Sequence, residues 1–200
     1  MRDDEKTTND VQAGAESAAE TEGAAKPSGG WLVRLVGLPG LLALAVLALD
    51  QLTKFAVMKV WPVPGSAEFV VIPSFFKLVH VRTPGAAWGI LGGHTWLLAV
   101  VSAMACLLVI LLWKKLTGGR AAVAIPCGVL LGGIAGNLID RVFFEKGVVD
   151  FLYFHYREIW GWPAFNVADA AISCSIVFLI VLSVFDSLRE KKRKAGQAND

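Results

Sequence analysis

The sequence is short of the groups from which many catalytic sites are built. It holds three histidines and three cysteines in 200 residues. His80, His94 and His155 are scattered, and no H-E-x-x-H pair occurs, which excludes a zinc site of that kind. Cys106, Cys127 and Cys174 fall inside apolar stretches at spacings that suit no metal motif, so they read as small buried hydrophobes. No G-x-S-x-G elbow and no glycine-rich nucleotide loop is present, which removes a serine nucleophile and a phosphate cradle. Charge is also scarce, at 18% of residues, against 55% hydrophobic residues and a mean hydropathy of +0.57. That balance describes a membrane protein.

Four stretches are apolar and long enough to cross a hydrocarbon core of about 30 Å, and lipid obliges each to be helical. They run from Trp31 to Leu49 and onward, Trp96 to Trp113, Ala121 to Ile139, and Ala168 to Phe185. Residues 1–30 differ in kind, with seven acids against three bases and almost no β-branched aliphatic residue, and are expected to be a disordered tail. The first span has small residues at Ala43, Ala45 and Ala48 that suggest a cleavable leader. The tail before it is net acidic, however, and the helical pattern runs on through Asp50 and Lys54 to Trp61-Pro62, so a retained anchor is expected.

Basic residues set the expected orientation. Lys114, Lys115 and Arg120 follow the second span without an acid, and Arg189, Lys191, Lys192, Arg193 and Lys194 follow the fourth. These ends, with Arg34 near the start of the first span, read as cytoplasmic. Both termini are then inside, with residues 61–95 and 140–167 outside. The first outer connection has two β-prone runs parted at Pro73-Ser74 and closes on Pro84-Gly85, which predicts a small sheet at the membrane surface. Trp88, Trp96, Tyr153, Tyr156, Trp160 and Trp162 suit an interfacial aromatic belt.

The remaining chemistry is carboxylate chemistry. Asp50 and Lys54 stand four apart on one helix face, as a packing lock or as part of a site. Glycines 132, 133 and 136 form a small-residue face, and Asn137, Asp140 and Arg141 follow it. Asp150 lies in an extended Val-Val-Asp-Phe run, and Asp169 follows Asn166 by three residues, the spacing of a reciprocal helix cap. Two close carboxylates that share a proton can activate water without another nucleophile. From the residues alone Asp140, Asp150 and Asp169 remain alternatives, Asp140 the weakest because Arg141 beside it offers partial neutralisation. A carboxylate-dependent transporter is the rival reading, although its acids should lie near the midplane rather than toward one face.

"DQLTK" at 50–54, "GNLIDRV" at 136–142, "VVDF" at 148–151 and "FNVADAAI" at 165–172, in that order, resemble lipoprotein signal peptidase, the bacterial signal peptidase II. The resemblance covers residues 31–187, between the acidic tail and a basic tail at 188–200. It implies an all-α membrane protein of four transmembrane helices with a small extracytoplasmic sheet and a short extracytoplasmic helix. It also implies an aspartic endopeptidase of the inner membrane that cuts prolipoproteins before a diacylglyceryl-modified cysteine. Asp150 and Asp169 match the catalytic aspartates of the family. Asp50, Lys54, Asn137, Arg141 and Asn166 match polar residues lining its site. No cofactor or metal is implied, and the partners are lipid-modified prolipoproteins and membrane lipid, with no nucleic acid. One motif departs from the pattern: "TPGAAWG" has Thr83 where the family has asparagine. Threonine keeps one hydroxyl where an amide offers two donors and an acceptor. The asparagine's bonding role is therefore not expected to carry over, and losing the hydroxyl is expected to cost little.

Overall fold

The computed structural model describes residues 37–85, 93–144, 146–157 and 159–197. The expected tail at 1–30, the beginning of the first span, Arg34 and Trp88 lie outside these residues. In chain order the elements are helix α1 (Leu38–Val60), strands β1 (Glu68–Ile72) and β2 (Phe76–Thr83), helices α2 (Thr95–Leu111), α3 (Trp113–Thr117) and α4 (Ala121–Phe143), strands β3 (Val148–Tyr156) and β4 (Trp160–Gly161), and helix α5 (Val167–Gln197).

Helices α1, α4 and α5 are each long and apolar enough to cross a membrane, while α2, with 17 residues, is a shorter apolar helix. Large apolar side chains such as Leu44, Leu52 and Phe55 on α1 and Phe178, Ile180 and Phe185 on α5 face outward. Water would penalise that surface and hydrocarbon does not. Helix α4 is the hub and packs against α1, α2 and α5. Its Gly132 and Gly136 allow the approach of α1, because a Cβ at Gly132 would strike the Ala43 backbone and one at Gly136 would lie 2.5 Å from the Asp50 carboxylate. Gly133, on the neighbouring face, does the same for the backbone of α5 at Ala168.

Two boundaries differ from the sequence reading. Helix α4 continues to Phe143, so Asp140 and Arg141 belong to its last turns and not to the outer connection. No proline or glycine interrupts the pattern there. Helix α5 likewise runs through the basic segment expected as a tail, because residues 186–195 hold strong helix formers and the Lys194–Glu190 pair, 2.8 Å apart, bridges one turn. Among the described residues the outer connections hold no short helix.

The four strands form one antiparallel order, β1-β2-β3-β4. Pro73-Ser74 makes the β1–β2 turn, with Ser74 at φ +62. Pairing across the two connections was not readable from either run alone: Val81 stands opposite Asp150, and Thr83 opposite Val148. Val57, Val149 and Phe151 form a small core that ties the sheet to the end of α1. At the opposite end Trp113, Ala124 and Cys127 are buried together. Cys127 is thus the buried hydrophobe expected, whereas Cys106 is half-buried and Cys174 is exposed on the outward face of α5. In the aromatic belt Trp96, Tyr156, Trp160 and Trp162 are exposed, but Tyr153 is half-buried under Gly161 and Lys77.

Candidate active site

The site assembles at the start of α5. Asn166 is the residue before the helix, and its side-chain oxygen accepts the Asp169 N–H at 2.9 Å while the Asp169 carboxylate accepts the Asn166 N–H at 3.2 Å. This is the reciprocal cap expected from the spacing. The next free N–H, that of Ala168, donates to the Asp50 carboxylate of α1 at 2.9 Å. A second backbone anchor precedes the helix, where Phe165 exchanges hydrogen bonds with Leu152 of β3 at 2.8 and 3.0 Å. That bridge brings Asn166 over Asp150.

Asp150 and Asp169 are linked through two amides. The Asn166 Nδ2 donates to Asp150 Oδ1 at 2.8 Å and to Asn137 Oδ1 at 3.1 Å. The Asn137 Nδ2 in turn donates to Asp169 Oδ1 at 2.7 Å. Lys54 Nζ holds Asn137 Oδ1 from below at 3.0 Å, which turns the Nδ2 of that amide toward Asp169. The second oxygen of Asp150 accepts the Thr83 hydroxyl. Asp150 is almost fully buried, and its carboxyl is pushed up to about 7, chiefly by burial and also by the negative charge of Asp169, against the pull of Thr83, Asn166 and Lys54.

Asp50, Lys54 and Asp140 form a separate buried cluster beneath this pair. Lys54 Nζ lies 2.8 Å from Asp50 and 3.0 Å from Asp140. The partner of Asp140 is thus Lys54 and not its neighbour Arg141, because adjacent helix residues point in different directions. Asp140 also accepts the Val149 N–H of β3 at 3.0 Å, so it holds the strand that carries Asp150. Gln51, given no role from sequence, donates to Asp50, Asp140 and the Gly136 carbonyl, each at 3.1 Å. An amide beside an ionisable residue in an apolar span was the signal for it. The Arg141 Nη1 donates to Ser102 of α2 at 3.3 Å, its Nε is buried without a partner, and its charge is felt by Asp169, Asp150 and Asp140. All seven expected site residues therefore lie in one neighbourhood, in two layers. Among the described residues no cluster of histidine, cysteine and acidic groups suits a metal ion.

The raised carboxyl of Asp150 makes a stability prediction. Folding keeps this acid neutral above its ordinary 3.8, so its contribution is full below that value and is lost as pH rises through about 7. Asp150→Asn should therefore melt above the parent protein at pH 8, with the difference closing as pH falls from 7 toward 4. Thermal unfolding in detergent across that range checks it, and a lower melting temperature for the variant at pH 8 would contradict it.

The family profile described as Signal peptidase (SPase) II matches residues 42–185 of the chain. The chain belongs to the signal peptidase II family. Relatives named lipoprotein signal peptidase include one from Listeria monocytogenes, 38% identical over 154 residues that cover 76% of this chain and 96% of that one. Another, from Paraburkholderia phytofirmans, is 40% identical over 144 residues that cover 70% of this chain and 80% of that one. Among solved structures, a bacterial membrane enzyme determined by the in meso method at 2.3 Å superposes with a TM-score of 0.67 at 28% identity. The match covers 76% of this chain and 90% of the other. A signal peptidase II is a protease, and its relatives are bacterial, so the chain is a multi-pass bacterial membrane protease. The transporter reading of the same acids finds no support in these relatives.

Proposed function

We propose that this signal peptidase II is an aspartic endopeptidase that removes the signal peptide from prolipoproteins, cutting before the diacylglyceryl-modified cysteine. The observation that carries the reading is the pair Asp150 and Asp169, joined through Asn166 and Asn137. One carboxyl is ionised and the other protonated. The ionised one takes a proton from water as the water oxygen bonds to the scissile carbonyl carbon. The protonated one gives its proton to the carbonyl oxygen. Collapse of that intermediate breaks the C–N bond, one of its hydroxyls returns a proton to the second carboxylate, and the new amine leaves with the proton first taken from water. An Asp150 carboxyl near 7 is suited to both halves of this cycle at neutral pH. Asn137, Asn166 and Lys54 keep the pair oriented, Asp50 supports it through Lys54 and the start of α5, and Arg141 supplies positive charge beside it.

The same reading gives four crossings, by α1, α2, α4 and α5, with the sheet and the acids on the extracytoplasmic side of the inner membrane. Both termini are cytoplasmic, with the acidic stretch 1–30 before the peptidase and the basic, helical end of α5 after it. The partners are prolipoproteins and membrane lipid, with no nucleic acid and no cofactor. The activity is tested by incubating purified protein with a lipid-modified prolipoprotein and following its size, with the same substrate lacking the lipid as control. Uncut modified substrate, or equal cutting of both forms, would remove the reading.

Orientation has its own test. Ser66 and Lys115 are both exposed, at opposite ends of the bundle. In a variant freed of native cysteines, Ser66→Cys should react with an impermeant thiol reagent added outside intact cells, and Lys115→Cys should react only after lysis. The reverse pattern would invert the topology.

A further inference from the structure

Thr83 is the position at which this chain leaves the family pattern, and the register of the sheet gives it a bond that the sequence did not suggest. Val81 faces Asp150 directly, so Thr83, two residues on, lies diagonally across from Asp150 on the same face of the sheet. Its hydroxyl donates to Asp150 Oδ2, while Asn166 donates to Oδ1. Both oxygens of that carboxylate are thereby held, one from β2 and one from the start of α5.

The hydroxyl is itself firmly placed. The following Pro84 confines Thr83 to extended backbone, and the β-branched side chain has few rotamers. Gly147, at φ +88, lets the chain before β3 lie against the Thr83–Pro84 corner, where a Cβ would come 2.7 Å from Pro84 Cα. On the other side Thr95, the first residue of α2, donates its hydroxyl to the Pro84 carbonyl at 2.9 Å. The corner is pinned by β3 and α2 together.

We infer that Thr83 is a positioning residue for Asp150: its hydroxyl holds the carboxylate in place through the catalytic cycle by donating to the charged form and accepting from the protonated form. A hydroxyl can do both by rotating about one bond, since it carries one donor and two lone pairs. The inference rests on the proposed pairing of Asp150 with Asp169. It reverses the expectation that loss of the hydroxyl costs little. The groups that face Asp150 and share control of its titration are Asp169 and Asn166 from the α5 start, Lys54 from α1, and Arg141 from α4. Thr83 is the contribution of β2.

The test compares Thr83→Val, which keeps the shape, with Thr83→Ser, which keeps the hydroxyl, in full-length protein acting on a lipid-modified prolipoprotein. Thr83→Val should lower kcat by about tenfold to a hundredfold, the range for a hydrogen bond to a charged group, with KM little changed. The acid limb of the pH–kcat profile should move to higher pH, because a donor that favours the charged carboxylate has been removed. Thr83→Ser should restore both. Thr83→Val with the parent kcat and the parent acid limb would overturn the inference, as would a loss expressed in KM with the limb unmoved. Asp150→Asn, measured alongside, separates the two levels. If it is inactive while Thr83→Val is indifferent, only the role of Thr83 fails, and if it is active the pairing fails as well.

Discussion

Changing either Asp150 or Asp169 to asparagine is expected to remove nearly all turnover while leaving insertion and folding intact. An amide of the same shape can neither take a proton from water nor alternate between acid and base, and the lost proton transfers alone are worth about two to four orders of magnitude. The hydrogen bonds around the pair help the variants to fold. At Asp169 an amide oxygen can still accept from Asn137 or from the Asn166 N–H, so the start of α5 survives. The double variant should be scarcely worse than either single one, because residues that act as one unit are strongly non-additive. Asp140→Asn is the internal control, and its loss should be smaller, since Asp140 holds Lys54 and the β3 backbone and has no direct bond to either member of the pair. Turnover measured on a lipid-modified substrate decides the matter. An inactive Asp140→Asn beside an active Asp150→Asn, both properly inserted, would mean that the pair is misassigned.

Lys54→Met should produce a large loss of stability. Lys54 and Asp50 are 1% and 0% exposed, and the ammonium lies between two carboxylates. Methionine has similar length and removes the charge together with its bond to Asn137, leaving Asp50 and Asp140 to face each other without a cation. Breaking a buried pair in this way costs about 3–5 kcal/mol, because the orphaned charge stays out of water. Asp140→Asn is much milder, since the Asp50–Lys54 pair persists and an amide oxygen can still accept from Val149 or Gln51. Adding Asp50→Asn to Lys54→Met should recover part of the loss. The measurement is thermal unfolding in detergent, and a Lys54→Met protein that melts with the parent would contradict the account.

The parts of this arrangement that sequence reveals are those with local rules. Apolar length marks α1, α4 and α5, the spacing of Asn166 and Asp169 marks the cap, and four-residue spacing marks Asp50 with Lys54. Glycines 132, 133 and 136 mark where helices meet, but only the folded chain shows that Gly133 serves α5 and its neighbours serve α1. What sequence conceals depends on register between distant segments. Nothing in "FKLVHVRT" or "VVDFLYFHY" alone says that Val81 meets Asp150, and from that one alignment follows the bond to Thr83. The partner of Asp140 was hidden for a similar reason: Lys54 is far away in sequence and Arg141 adjacent, yet helix geometry turns the neighbour away and brings the distant residue in.

The bond from the Ala168 N–H to Asp50 has a consequence for biogenesis. Asp50 belongs to the first described span and Ala168 to the last, 118 residues later. As the spans leave the ribosome in order, Asp50 and Lys54 enter the bilayer long before the helix start that will receive them exists. Until then the pair, neutral by itself and carrying one surplus negative charge once Asp140 of α4 joins it, has to be kept by water or by the insertion machinery. Docking of α5 relieves that charge, caps the helix and delivers Asp169 in a single event. A chain stopped before residue 165 is thus expected to be a substrate for quality control rather than a weak protease, because the step that finishes the fold is the one that creates the catalyst.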